Sequence, residues 1–190
     1  LPSDARAKLD EAAKAMGLRS AMLEPLRPWM AALTITVAPL MRAGYDPGMG
    51  IDKSLEGDAE RAHKSVRTFE TPEQQILLFA NLPEETELKF FLQTLDETAA
   101  APKMVDQMAD AWLDGDLEAL DSLVFDKMKQ GAPELYDIMI VERNRDWSKQ
   151  IATLMKGAGT SFIAVGAGHL TGDNSVQALL AQQGFDVARY

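Results

Sequence analysis

The stretch Ser161-Phe-Ile-Ala-Val-Gly-Ala-Gly-His-Leu170 limits what this chain can build more than any other. Its first half is apolar and partly β-branched, the pattern of a short buried strand. The strand should stop at Gly166, because residues 166–172 hold three glycines around one histidine. Glycine lets backbone come close to whatever lies beside it, since no Cβ stands in the way. Open α/β sheets bind ligands at the carboxyl ends of their strands. His169 sits at such an end, so any site in this chain is expected to include it.

The rest of the pattern predicts a helix-rich α/β fold with a small, mostly parallel sheet. Ser3 should cap a helix that buries Leu9, Ala12, Ala13 and Met16, with Gly17 as its stop. Trp29 to Ala43 reads as an apolar helix, although its Thr34-Ile35-Thr36-Val37 run leaves a strand open. Asp52 should cap a helix running to about His63. Ser65 to Phe69 alternates like a second strand, and Glu70 ends it. Thr71-Pro72-Glu73-Gln74 is a capping box with proline at the first helical position. A helical pattern fills 84–130, a hairpin insertion with many acids on its wet face, broken or restarted at Pro102. Pro133 opens a helix to about Gly157, a further helix covers about 175–183, and Phe185 to Tyr190 reads as a last strand. Strand, helix and strand in that order imply a right-handed parallel crossover.

At 190 residues a single domain is expected. A formal net charge of -10 argues against nucleic acid and against anionic membrane surfaces as partners. The absence of cysteine excludes disulfides and thiolate chemistry. The longest apolar run, Trp29 to Met41, is too short and too proline-bounded to span a membrane. Starting at Leu1 rather than methionine, the chain reads as a processed or trimmed product.

Three polar groups stand out by placement: His169 after one strand, Glu70 at the end of another, and Arg143 on a buried helix face. The apolar stripe of that helix is Tyr136, Ile140, Trp147, Ile151 and Leu154. Arg143 lies three residues after Ile140 and four before Trp147, with Asn144 at the border of the face. A guanidinium on an apolar face requires a partner, and Glu70 could supply one. Each residue has a structural alternative. Glu70 could favour the positive end of a helix dipole, Arg143 could form an ion pair without chemistry, and Asp52 reads better as a cap than as a ligand. His63, at a helix end, reads as exposed and inert. Gly166-Ala-Gly-His-Leu-Thr-Gly172 approximates a dinucleotide loop, but it is one residue too long and no acid follows at the required distance. No nucleophile-elbow pattern supports a Ser-His hydrolase.

Taken together, these residues resemble the TraB/GumN family, whose relatives include the Tiki-type metalloproteases. The matching pieces are Gly50-Ile-Asp52, Phe69-Glu-Thr71 with Glu73-Gln74, and Trp112-Leu-Asp-Gly-Asp116. Glu142-Arg-Asn144 with Trp147 and Ala164-Val-Gly-Ala-Gly-His-Leu170 complete the set. The resemblance implies an EreA/ChaN-like α/β fold and, for the Tiki branch, a peptidase dependent on a divalent metal such as Mn, Co or Zn. It implies His169 and Glu70 as metal ligands and Glu70, Arg143 and His169 as the catalytic set. Asp52, Asn144, Gly166 and Gly168 are expected as substrate-binding or supporting residues. The family's first glycine-x-x-histidine motif has no counterpart before His169, so the resemblance is to the larger C-terminal part of such proteins. The opening strands would precede Leu1, and one histidine with one carboxylate is not expected to retain metal alone. Peptide or protein substrates, an oligomer and a periplasmic or extracytoplasmic location follow from the resemblance. So does a rival reading, a non-catalytic regulator that binds peptides or acts in exopolysaccharide pathways.

Overall fold

The computed structural model describes residues 1–42, 44–98 and 100–189 and is helical in architecture. The elements are α1 (Ser3–Ala15), α2 (Pro28–Arg42), α3 (Ile51–Arg61), α4 (Pro72–Ala80) and α5 (Glu84–Glu97). They are followed by α6 (Ala101–Asp114), α7 (Leu117–Gly131), α8 (Pro133–Tyr136), α9 (Glu142–Leu154) and α10 (Val176–Gln182). Ala5, Leu9, Ala12 and Ala13 recur at helical spacing and give α1 one buried face. That face packs with Ala31, Ala32 and Ile35 of α2 against Phe91 and Leu95 of α5. Ser3 begins α1 without capping it; Pro2 holds the cap position. The β-branched run in α2 is helical, with Thr34 and Thr36 hydroxyls donating to the carbonyls of Met30 and Ala32 at 2.8 and 3.0 Å. The expected end of this helix at Ala43 lies outside the described residues.

No β-strand forms among the described residues, which overturns the expected parallel sheet and its crossover. The segments 64–70, 160–166 and 185–189 are extended, but no backbone hydrogen bond joins any two of them. Tyr190, expected in the last strand, lies outside the described residues. Burial along these segments is one-sided but does not follow the strand reading throughout. Phe69, Ile163, Val165 and Phe185 pack on Trp147, Ile151, Val176 and Leu180 from α9 and α10. Val66 and Phe162, inside the expected strands, are exposed, and so is Val187, which a period of two would put on the same face as Phe185. One-sided burial needs only a helical surface to lean on, whereas a sheet also needs a second backbone in register. These segments have the first without the second.

The helix opened by Pro133 is not uniform. Between α8 and α9 the chain makes a π turn over Asp137–Val141, an element that adds a residue to the helical turn and recurs at functional sites. Tyr136, Ile140, Trp147 and Ile151 of the stripe are buried, whereas Leu154, at the end of α9, is exposed. The stretch 84–130, expected as one hairpin insertion, forms three helices: α5 joins the core with α1 and α2, and α6 and α7 pair across Gly115, at φ of +68°, with α7 capped by Asp116, which accepts from the Ala119 N–H at 3.0 Å. It is more than a wet appendage, because α7 packs on α8 and on the turn that carries His169. No helix among the described residues is long and apolar enough to cross a membrane.

Candidate functional site

Helix α9 is the platform of the site. Arg143, Asn144 and Trp147 lie within about one turn of each other; Arg143 and Trp147 bind Glu70, and Asn144 binds the segment that carries His169 and Asn174. Glu70 is brought to α9 by the extended segment 64–70. Its place is fixed by the next helix, where Thr71 accepts from the Gln74 N–H at 3.2 Å and the Gln74 side chain accepts from the Thr71 N–H at 2.7 Å. This is the expected capping box. Arg143 donates through Nε to Glu70 Oε1 and through Nη2 to Glu70 Oε2, both at 2.9 Å, and through Nη1 to the Met139 carbonyl at 3.1 Å. Trp147 Nε1 donates to Glu70 Oε1 at 3.1 Å, and Gln75 donates to Oε2 at 3.4 Å. The pair is largely removed from water, with the two side chains 13% and 12% exposed. Burial pushes the Glu70 carboxyl up, but Arg143, Gln75 and Trp147 together outweigh it and hold the group below its ordinary value.

His169 also packs on the Trp147 ring. It occupies a short 3-10 turn, Ala167–Leu170, and is buried. Asn144, with no exposed surface, donates through Nδ2 to the Asn174 carbonyl at 2.8 Å and toward the His169 carbonyl at 3.4 Å. Those two bonds assign the amide: Nδ2 points at carbonyls, so Oδ1 must be the acceptor that lies 2.6 Å from His169 Nδ1. Nδ1 therefore carries the proton, and the lone pair is left on Nε2, which has no partner among the described residues. Burial first, and the Arg143 charge second, lower the imidazole pKa to about 4 against an opposing pull from Glu70. At neutral pH the ring is uncharged. Its face meets Trp147 at a centroid distance of 4.4 Å, and Arg143 lies 4.7 Å from the same indole.

The structure thus gathers Glu70, Arg143, Asn144 and His169 around Trp147. Glu70 and His169 are bridged by the indole rather than bonded to each other. Trp147 was legible as a core position and as part of the Glu142-Arg-Asn144 motif but not as a partner of Glu70, although its spacing of four from Arg143 places both on one helix face. Asp52 is not brought in. It lies in the first turn of α3 behind Gly50, which holds the cap position, and it is exposed without an ion pair or hydrogen bond among the described residues. His63 is exposed, as expected, at a φ of 52°. The glycines answer to packing as well as to any ligand. A Cβ on Gly168 would stand 2.8 Å from Phe125 Cζ, and one on Gly172 would stand 2.9 Å from Asp121 Oδ1. Gly166 is not crowded in this way, its nearest contact being the His169 ring at 3.9 Å. Asp121 and Thr171, which hold this turn, were not singled out by sequence because an acid on an acid-rich hairpin looks like surface.

As a metal donor, His169 has the right form: a neutral ring with its second nitrogen hydrogen-bonded, as metal-ligating histidines usually have. Glu70 differs, since its oxygens already accept from Arg143, Trp147 and Gln75. No group of three or more His, Asp or Glu side chains is placed to hold a metal among the described residues. Structural and catalytic transition-metal sites use at least three protein ligands. These residues by themselves do not fit one.

The chain belongs to the TraB/PrgY/gumN family, whose sequence model it matches over residues 1–189. It is similar to the uncharacterized protein YbaP of Escherichia coli (strain K12) and to the protein of the same name in Shigella flexneri, with 26% identity over 172 residues in each case. The match covers 90% of this chain and 63% of each relative, so the chain spans less than two thirds of the length of the curated relatives it matches. No solved structure matches it significantly.

Proposed function

We propose that this chain carries the His169 side of a divalent-metal-dependent hydrolytic centre of the peptidase type. The observation behind this reading is the state of His169. Asn144 Oδ1 accepts a hydrogen bond from the Nδ1–H, burial keeps the ring neutral, and Nε2 is left with its lone pair. A general base works best with a pKa near the working pH, whereas a metal ligand must be neutral. A pKa of about 4 favours the ligand. A metal in such a site supplies an activated water and a Lewis acid; its remaining ligands would come from outside the residues described here. Trp147 sets the place of the ring, and the Arg143–Glu70 pair fixes Trp147.

The second reading, a binding protein without catalysis, is favoured by Glu70, whose oxygens are already taken by three donor side chains. One experiment separates the two. The protein as its cell makes it is loaded with Mn, Co or Zn, freed of excess and measured for metal content and for cleavage of fluorogenic peptides. Metal and cleavage that are both lost in His169→Ala support the hydrolase. Metal retained in His169→Ala, or cleavage unchanged, overturns it, and absence of both in the parent protein leaves the binding reading.

A further inference from the structure

The turn that carries His169 is gripped from a second direction, by α7. Glycines at 166, 168 and 172 leave the turn with wide backbone freedom, so its shape must be imposed from outside. Asn144 supplies one hold. The other is a single face of α7 formed by Asp121, Phe125 and Lys129, each four residues from the next. Thr171, almost fully buried, donates its hydroxyl to Asp121 Oδ1 at 2.9 Å, with the Gly168 carbonyl a further acceptor at 3.1 Å. Lys129 pairs with Asp121 Oδ2 at 2.7 Å, and its ammonium lies 5.0 Å from the Tyr136 ring and 5.8 Å from the Phe125 ring. Phe125 fills the space that a side chain at 168 would need, and Asp121 does so at 172. The glycines of the motif are thus the condition for α7 to lie against it.

We propose that Asp121 is a positioning residue: acting through Thr171, it fixes the 167–172 turn and with it the place and tautomer of the His169 ring. The inference rests on reading His169 as the reactive group, but its test does not. The bond from Thr171 to a carboxylate is charge-assisted, the stronger kind of hydrogen bond, and Lys129 holds the second oxygen of that carboxylate in an ion pair. The α6–α7 hairpin becomes the outer wall of the site, and a shift of α7 moves the imidazole.

The test is NMR of the protein labelled with ¹⁵N in its two histidines, with the His169 signals identified by their loss in His169→Gln. In the parent protein the Nδ1 proton of His169 should be slow to exchange with water and Nε2 should be unprotonated. Thr171→Val removes only the hydroxyl, and Asp121→Ala removes its acceptor. Each should speed Nδ1 proton exchange by about tenfold or more, the equivalent of losing one charge-assisted hydrogen bond, and should populate the second tautomer. Thr171→Ser should restore the parent pattern. If Asp121→Ala fails to fold, the Val and Ser variants at 171 decide. An unchanged His169 ring in Thr171→Val, even with a lower melting temperature, overturns the proposal. Neither metal nor substrate is present in this experiment. A protein that neither binds metal nor cleaves peptides would end the hydrolase reading without changing what the Thr171 variants report about the His169 ring.

Discussion

Replacing Glu70 with glutamine keeps the shape of the side chain and removes its charge. The native carboxylate faces only donors: Arg143 Nε and Nη2 at 2.9 Å, Trp147 Nε1 at 3.1 Å and Gln75 at 3.4 Å. A glutamine offers one acceptor oxygen, and its amide nitrogen must face a group that cannot accept from it. Arg143 would keep its bond to the Met139 carbonyl at 3.1 Å but lose its counter-charge. Breaking a buried pair by removing one partner costs roughly 3–5 kcal/mol. With the two side chains still 13% and 12% exposed, the lower end applies, about 3 kcal/mol. For a chain of this length that corresponds to a fall in melting temperature of roughly 6–12 °C. Denaturation at pH 7, followed by tryptophan fluorescence and circular dichroism, reads the loss directly. The cycle with Arg143→Met is more stringent. If the pair acts as a unit, Glu70→Gln/Arg143→Met should be little worse than either single variant, a coupling of about 2 kcal/mol or more. Losses that simply add, or a Glu70→Gln cost below about 1 kcal/mol, would refute this account of the site. The sign with pH is fixed as well. Because the folded carboxyl lies below its ordinary value of 4.5, its contribution is complete above that pH and is lost as pH falls through the folded value. Glu70→Gln should lack that component of acid sensitivity.

Three other tests bear on the same region. His169 binds a proton near pH 4 in the folded protein but at its ordinary 6.5 when unfolded. The unfolded chain therefore takes up the proton first as pH falls, so stability should drop by about 3 kcal/mol between pH 6.5 and 4 from this group alone. Urea titrations at both pH values should show a smaller drop for His169→Gln. Gly168→Ala should cost about 1–3 kcal/mol through its collision with Phe125, and Phe125→Leu should recover part of that loss in the double variant; a neutral Gly168→Ala would remove α7 from the account. In hydrogen exchange the amides of Phe162, Ile163 and Ala164, which have no backbone partner among the described residues, should be far less protected than those of α9. Protection equal to that of α9 would mean that these amides are bonded.

What the sequence decided by itself lies in local rules. The capping box at Thr71 to Gln74, the proline start at Pro133, the glycine stops and the helical stripe of α9 each depend on neighbours a few residues away, and each is found where the spacing puts it. Arg143 facing Glu70 was also legible, because a cation on an apolar face must find a carboxylate and Glu70 was placed to serve. The sheet was not. Phe69, Ile163, Val165 and Phe185 are partly buried, and contact with α9 and α10 accounts for apolar residues in these segments as readily as burial within a sheet would. Whether two backbones meet in register depends on long-range placement that a period of two does not encode. The tautomer of His169 is of the same kind, since Asn144, Asn174 and His169 meet only after α9 has docked. The grip of α7 on the glycine turn also escaped the sequence. Asp121 stands among surface acids in the chain, and only the tertiary structure, by bringing Thr171 against it, makes that carboxylate part of the site.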